Sequence, residues 1–284
     1  MDVPRHDVRR RYLTSWGPKM KKLPAMLVRK LQAANRLNDD DIAAIERLPI
    51  VVKHAEAHES IVREGDKTEH CCLLLDGFAC RSKTTDEGKR QILSIQISGD
   101  MPDLQSLHLD VTDHDITTLS KCTLGFVSHE AMRDLTHERP HVADALWRDT
   151  LVEASVFREW IVNVGRRSAS RRMAHLIAEL RARLSVVGLS TADTFELPMT
   201  QIDLADALGL TPVHVNRVIQ ELRKSGLIKL NRHVVSLGDA EALMQLGDFD
   251  ESYLHQEGVM AQLKERTPEP SKLSTEPPPP GATA

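Results

Sequence analysis

The chain has 284 residues, with 37 Lys and Arg against 41 Asp and Glu, a formal net charge of −4 and 4% aromatic residues. This length predicts two domains, each able to bury its own core, and the mild acidity excludes a histone-like binder of nucleic acid. No apolar run approaches the roughly 20 residues a membrane helix needs and no signal peptide is visible, so the expectation is a cytoplasmic protein without a membrane partner, its four cysteines reduced.

Residues 1–24 are polar, basic and unpatterned, and read as a flexible arm; Met20 and Met26 are alternative starts. From Met26, LVRKLQAANRLNDDDIAAIERL predicts two short helices, the second capped by Asn38 with Asp41 in its first turn. Between Ile50 and Met132 the character changes. Short apolar runs such as SIVREGD, HCCLLLDGFACRSK and RQILSIQISGD alternate with turn signals. Gly65, Gly77 and Gly99 stand beside aspartates at strand ends, and Asp86-Glu87-Gly88 marks a hairpin. Strands at this spacing predict a sandwich or jelly roll. Cys71, Cys72, Cys80 and Cys122 fall within them, where they read best as small buried hydrophobes.

His141 to Val164 predicts one long helix, with an apolar stripe through Ala145, Val152, Val156, Trp160 and Val164. At 1.5 Å per residue it spans about 36 Å, more than a small β-domain covers. Gly165 and the run RRSASRR read as a hinge, and Arg171 to Leu184 as the first helix of the next domain. From Arg158 to Arg232 twelve basic residues face seven acidic ones, a local excess that suits a phosphate-binding surface.

The segment LPMTQIDLADALGLTPVHVNRVIQELRKSGLIKLNRHVVSL, Leu197 to Leu237, carries the densest signal. Thr200 can cap a helix by accepting from the N–H of Asp203, and Ile202, Ala205 and Leu208 are spaced to share a buried face. Gly209 permits a left-handed stop, Thr211 is the next N-cap, and Pro212 sits at the first helical position, where its missing N–H costs nothing. Val215, Val218, Ile219 and Leu222 point inward, which leaves Val213, His214, Asn216, Arg217 and Gln220 toward solvent. Gly226 ends that helix. Leu227 to Leu230 and Val234 to Leu237 alternate as strands, with Asn231-Arg232 as their turn. A generic helical hairpin would not require two caps, two placed glycines and an exposed polar stripe to agree. The layout is a winged helix-turn-helix. Beyond Leu254 the chain becomes a polar, Pro-rich and disordered tail.

This segment resembles the DNA-binding domain of the Crp/Fnr superfamily of transcription regulators, and TPVHVNR followed by IQELRKSGLI is similar to its alphaproteobacterial branch. The resemblance extends from about Leu27 to Leu254. It implies an α+β architecture: a cyclic-nucleotide-binding-like sensor β-roll (25–140), a dimerisation helix (141–165), a winged helix-turn-helix (166–240) and a C-terminal extension (241–284). It further implies a homodimer, joined through Ala145, Val152, Val156, Trp160 and Val164, that acts on a palindrome related to TTG…CAA. The recognition helix Thr211–Arg223 would lie in the major groove, with half-sites about 34 Å apart. Arg217 would read guanine, and His214, Asn216 and Val213 would meet base edges. Thr200, Gln201, Thr211, Arg172 and Arg232 would hold phosphates. RNA polymerase would be a further partner if the protein is an activator.

The sensor half departs from the best-known members. Cyclic AMP receptors use a Gly-Glu pair and a downstream Arg. Here Pro102 stands in the place of the Gly, Asp103 in that of the Glu, and Asp115-Ile116-Thr117 where the Arg is expected, so a phosphate would meet an acid. Fnr-type iron–sulfur sensors need an N-terminal cysteine group, and residues 1–70 contain none. The pairs His54/His58 and His137/His141 carry no accompanying ligand set, and HAEAH lacks the Glu of HExxH. No P-loop, GxSxG or dinucleotide fingerprint is present. The expectation is therefore a regulator, not an enzyme, without metal or cofactor and independent of cyclic AMP. Two readings stay open: a sensor that binds DNA only after an unknown small-molecule or redox signal, and a regulatory module without sequence-specific DNA reading.

Overall fold

The computed structural model describes residues 24–191 and 193–256. The arm and the Pro-rich tail read from the sequence lie outside the described residues, apart from Pro24 and His255-Gln256. The chain opens with helices α1 (Ala25–Ala34) and α2 (Asp39–Glu46). A capping box starts α2: Asn38 accepts from the Asp41 N–H while Asp41 accepts from that of Asn38. Strands β1 (Val51–Ala55), β2 (Ser60–Val62), β3 (His70–Asp76), β4 (Phe78–Thr84), β5 (Arg90–Ile97), β6 (Asp115–Thr118) and β7 (Cys122–Ser128) follow. They form two antiparallel sheets, ordered β1-β7-β3 and β2-β6-β4-β5.

All four cysteines are buried in this roll. Burial pushes the thiols of Cys71 and Cys80 up to about 12, and raises those of Cys72 and Cys122, which disfavours the thiolate at each.

Helix α3 (His129–Glu138), capped by Ser128, was hidden in the sequence at the end of a strand-like run. The long helix α4 (Pro140–Arg166) then crosses the roll. It runs through Gly165, so the elbow falls at Arg167-Ser168 rather than at that glycine. Helix α5 (Ala169–Val187) follows and ends at Gly188. The remaining elements are β8 (Thr194–Glu196), α6 (Gln201–Leu208), α7 (Pro212–Lys224), β9 (Ile228–Asn231), β10 (Val234–Leu237), α8 (Ala240–Gly247) and a 3-10 turn, Glu251–Leu254. Strands β8-β10-β9 make a three-stranded wing, of which β8 was not foreseen. Its tip turns at Arg232-His233, one residue later than expected, because Asn231 pairs with Val234.

Among the described residues two large hydrophobic clusters organise the molecule, with a smaller third inside the roll around Cys72, Leu74, Ala79 and Leu124. One lies between α1–α4 and the roll, through Leu27, Leu31, Ile45, Leu73, Met132 and Val142. The other is continuous from the β4–β5 face (Cys80, Ile92, Ile95) through Trp160 to the interior of the DNA-binding half (Ile177, Leu180, Val215). The two halves thus share one core.

This placement revises the expected dimer stripe. Ala145, Val156 and Trp160 are buried against their own chain, and Val152 and Val164 are half-buried. The apolar residues of α4 left in solvent are Trp147, Leu151, Ile161 and Val162. A helix lying between two bodies has two apolar faces, and periodicity cannot say which one the chain itself covers. The indole N–H of Trp160 instead donates to both oxygens of the fully buried Glu179, at 3.2 and 3.0 Å. Trp160→Phe should therefore lower stability by about 1–3 kcal/mol, the cost of leaving a buried acceptor short of a donor; chemical denaturation of the two proteins measures it.

Candidate nucleic-acid interface

The interface is built by α6, α7 and the wing. Thr200 and Asp203 form a capping box at the start of α6: the hydroxyl accepts from the Asp203 N–H at 3.1 Å and donates to Asp203 Oδ2 at 2.6 Å. Both polar functions of Thr200 are thereby committed to the helix, but the residue is exposed beside Gln201 at the positive helix end. Of the expected inward residues Ala205 and Leu208 are buried, with Leu204 and Ala207 beside them, while Ile202 is 61% exposed. An eight-residue helix shows the core one narrow face, set by 204, 205 and 208, and Ile202 in its first turn lies off it.

Gly209 closes α6 in the left-handed conformation at φ 62, which lets the chain reverse within two residues. Thr211 then accepts from the His214 N–H at 3.2 Å, with Pro212 as the first helical residue. The hydrophobic face of α7 is buried through Val215, Val218, Ile219 and Leu222. On the opposite face Val213 is 82% exposed, Asn216, Arg217 and Gln220 are exposed, and His214 is half-buried. The Arg217 side chain is 66% exposed, its Nε 4.0 Å from Glu221, a contact too loose to hold the guanidinium. Arg223 and Lys224 complete the last turn, and Arg232 stands exposed at the wing tip in a left-handed conformation.

Arg172 departs from expectation. Its Nε donates to the carbonyl of Arg167 and its Nη1 to that of Leu208, both at 2.8 Å, and it is half-buried. It therefore ties the elbow to the end of α6 instead of presenting its charge to a ligand.

The sensor half adds a contact that no local pattern signals. Arg90, at the start of β5, donates from Nε to Asp206 and from Nη2 to Asp203, both at 2.7 Å. The roll thus grips α6 directly. Burial alone would raise the Asp203 carboxyl, but hydrogen bonds from Thr200 and Arg90 outweigh it and hold the group below the usual carboxylate range.

Beside a cavity lined by Lys30, Ser94, Gln96, Asp149 and Glu153, several polar side chains of the roll are bonded within the chain. Asp103 is buried, accepts from the Cys72 N–H at 2.6 Å, and is pushed up to about 7 by that burial. The buried Arg81 donates to the carbonyl of Pro102 at 2.6 Å, pairs with Glu153 of α4, and stands 5.8 Å over the Phe157 ring. Asp115 accepts from the backbone of Glu64 at 2.9 Å. The histidine pairs stay apart: His54 meets Thr123 and His141 meets Asp41.

Residues 52–139 match the family described as cyclic nucleotide-binding domain, and residues 171–246 match the Crp-like helix-turn-helix domain. The chain is 30% identical over 229 residues to the transcriptional activator protein FnrL of Cereibacter sphaeroides, covering 78% of this chain and 90% of that one. It is 22% identical over 213 residues to the fumarate and nitrate reduction regulatory protein of Escherichia coli, covering 74% and 84%. Among solved structures it is similar to FixK2 from Bradyrhizobium japonicum, with TM-score 0.64 and 23% identity over 70% of this chain and 98% of that one. It is also similar to the c-di-GMP responsive regulator CLP of Xanthomonas campestris, with TM-score 0.57 and 16% identity over 71% and 100%.

A lowered folded-state carboxyl contributes stability above its unfolded value and loses it as pH falls through the folded one. Wild type should therefore melt above Asp203→Asn at pH 7, and the gap should shrink as pH falls below about 4, the ordinary aspartate range. Scanning calorimetry across that window checks the sign.

Proposed function

Because the chain belongs to the Crp/Fnr family of DNA-binding transcription regulators, we propose that it acts as a homodimer on a palindromic site and needs no cyclic AMP. The observation that carries the reading is the exposed face of α7. A helix with a satisfied N-cap and a fully packed inner side offers Val213, Asn216, Arg217 and Gln220 to a partner, and neither half of the chain covers them. Arg217 has the planar fork that matches guanine O6 and N7, worth about 1–3 kcal/mol of discrimination. His214 and Asn216 flank it for further base contacts, and Val213 suits a thymine methyl. Gln201 and Arg232, with the exposed ends at Thr200 and Thr211, hold phosphates and set register. Arg172 acts behind them, keeping α6 in place.

The dimer forms through the outer face of α4. Trp147, Leu151, Ala154, Arg158, Ile161 and Gly165 recur at alternating steps of four and three, the spacing of a coiled-coil seam. At 1.5 Å per residue α4 is about 40 Å long, enough to pair over most of its length. Independence from cyclic AMP is supported by the bonding inside the roll: Arg81 is engaged with Glu153 and the Pro102 carbonyl, and Asp103 with the Cys72 N–H, so these groups are already used within the chain. FnrL is called an activator, and by that likeness RNA polymerase is the second partner of the DNA-bound dimer.

Selection from random DNA, with a reductant and no ligand, should enrich a palindrome with half-sites one helical turn apart. Recovery of unspecific, salt-sensitive DNA alone would refute the reading. Arg217→Ala should lose the preference for that palindrome while keeping background binding. Ile161→Asp or Leu151→Asp should yield folded monomers by sedimentation, and a persistent dimer in both would move the interface elsewhere.

A further inference from the structure

The chain continues past the wing into a segment that the helix-turn-helix match, ending at residue 246, does not include. Helix α8 lies along α5 so closely that a Cβ on Gly247 would stand 2.7 Å from the His175 nitrogen. From there residues 248–256 leave the DNA-binding half and return across the elbow to α4. Asp248 turns in the left-handed conformation, its carbonyl 3.3 Å from Nη2 of Arg167, the elbow residue that also pairs with Glu159 of α4. Phe249 and Tyr253 enclose His175: the Phe249 ring meets it edge-on at 5.4 Å, and the Tyr253 ring stacks at 5.9 Å. The Tyr253 hydroxyl donates to Glu179 at 2.8 Å, the carboxylate that also takes the Trp160 indole N–H from α4. Leu254 is buried in the shared core, and the carbonyl of His255 reaches Arg148, five turns back along α4 from the elbow.

A ten-residue segment therefore touches the elbow at Arg167, α5 at His175 and Glu179, and α4 at Arg148. The angle between those helices decides where each recognition helix sits relative to the dimer axis. A segment bonded to both helices removes freedom at the elbow, as a ligand bound across it would. We propose that residues 247–256 are a built-in brace that holds α4 and α5 at one angle and so fixes the half-site spacing the dimer accepts. This rests on the reading above that no effector is needed: the brace does from within the chain what an effector would otherwise do.

The test uses the full chain, a form ending at Leu246, and Tyr253→Phe, which keeps the ring but removes the hydroxyl bonds to Glu179 and to Nε2 of His175. Two quantities are measured: trypsin cleavage at the elbow arginines Arg166 and Arg171, and binding to the selected palindrome against the same half-sites moved apart by two base pairs. Both variants should remain dimers by sedimentation. In Tyr253→Phe, elbow cleavage should rise and preference for the original spacing should fall, each by about tenfold, as expected for loss of a hydrogen bond to a buried carboxylate together with one to His175. Unchanged cleavage and unchanged spacing preference in Tyr253→Phe would overturn the brace, even if the shortened form fails to fold. A changed cleavage rate with unchanged spacing preference would also overturn it, since the segment would then be structural only. Should the full chain bind no palindrome without an effector, the effector-free reading fails on its own. Cleavage at the elbow, raised or not, then decides the brace as a mechanical element.

Discussion

The carboxylate of Glu179 is completely buried at the point where the long helix, the first helix of the DNA-binding half and the C-terminal segment meet. A charge removed from water costs several kcal/mol unless donors surround it. The donors here come from three separate parts of the chain: Trp160 on α4, Arg183 on α5 and Tyr253 beyond the wing. Loss of any one of the three leaves the buried carboxylate with fewer donors. Such a group is weak as a source of stability, because the cost of burying it is large, but strong as a constraint on geometry, because few arrangements satisfy it. The elbow angle, the course of the C-terminal segment and the inward orientation of Trp160 all follow from that demand.

A second set of charges works the same way between the halves. Lys30 of α1 stands 2.7 Å from Asp100 and 2.8 Å from Asp149, and Arg183 donates to Asp100 at 3.0 Å. Burial would raise Asp100, yet the two cations hold it below the ordinary carboxylate range. With Arg90 on Asp203 and Asp206, the roll, the long helix and the DNA-binding half are joined by ion pairs at the rim of a shared apolar core. Apolar burial supplies the attraction. The paired charges select the register in which the surfaces meet, since a shifted docking would leave several of them buried alone.

The polar groups paired inside the roll belong to this arrangement. Arg81 and Glu153 join a strand of the roll to the long helix. The fold resembles that of nucleotide-responsive regulators, while the chemistry inside it is directed at the chain itself.

Local chemistry made much of the molecule legible. The caps at Asn38, Thr200 and Thr211, the stop at Gly209, Pro212 at a helix start and the polar face of α7 depend on neighbours within four residues, and each stands as its sequence indicates. The departures have a common physical form. Ile202 and the stripe on α4 were assigned to the wrong side because hydrophobic periodicity marks faces without saying what covers them. Arg172 was read as a phosphate contact because its charge is visible in the sequence, whereas the two carbonyls that bind it are brought to it by the turn at the elbow and the end of α6. By itself the sequence determined most of the elements, the family and the polar, solvent-facing side of α7, since these rest on short-range hydrogen bonding and sterics. The tertiary structure alone decided the grip of Arg90 on α6, the pairing of Arg81 with Glu153, the side of α4 that the chain itself covers and the return of the C-terminal segment to Glu179. Those join groups up to 116 residues apart, as Arg90 and Asp206 are, and no periodicity or spacing encodes a partner at that distance.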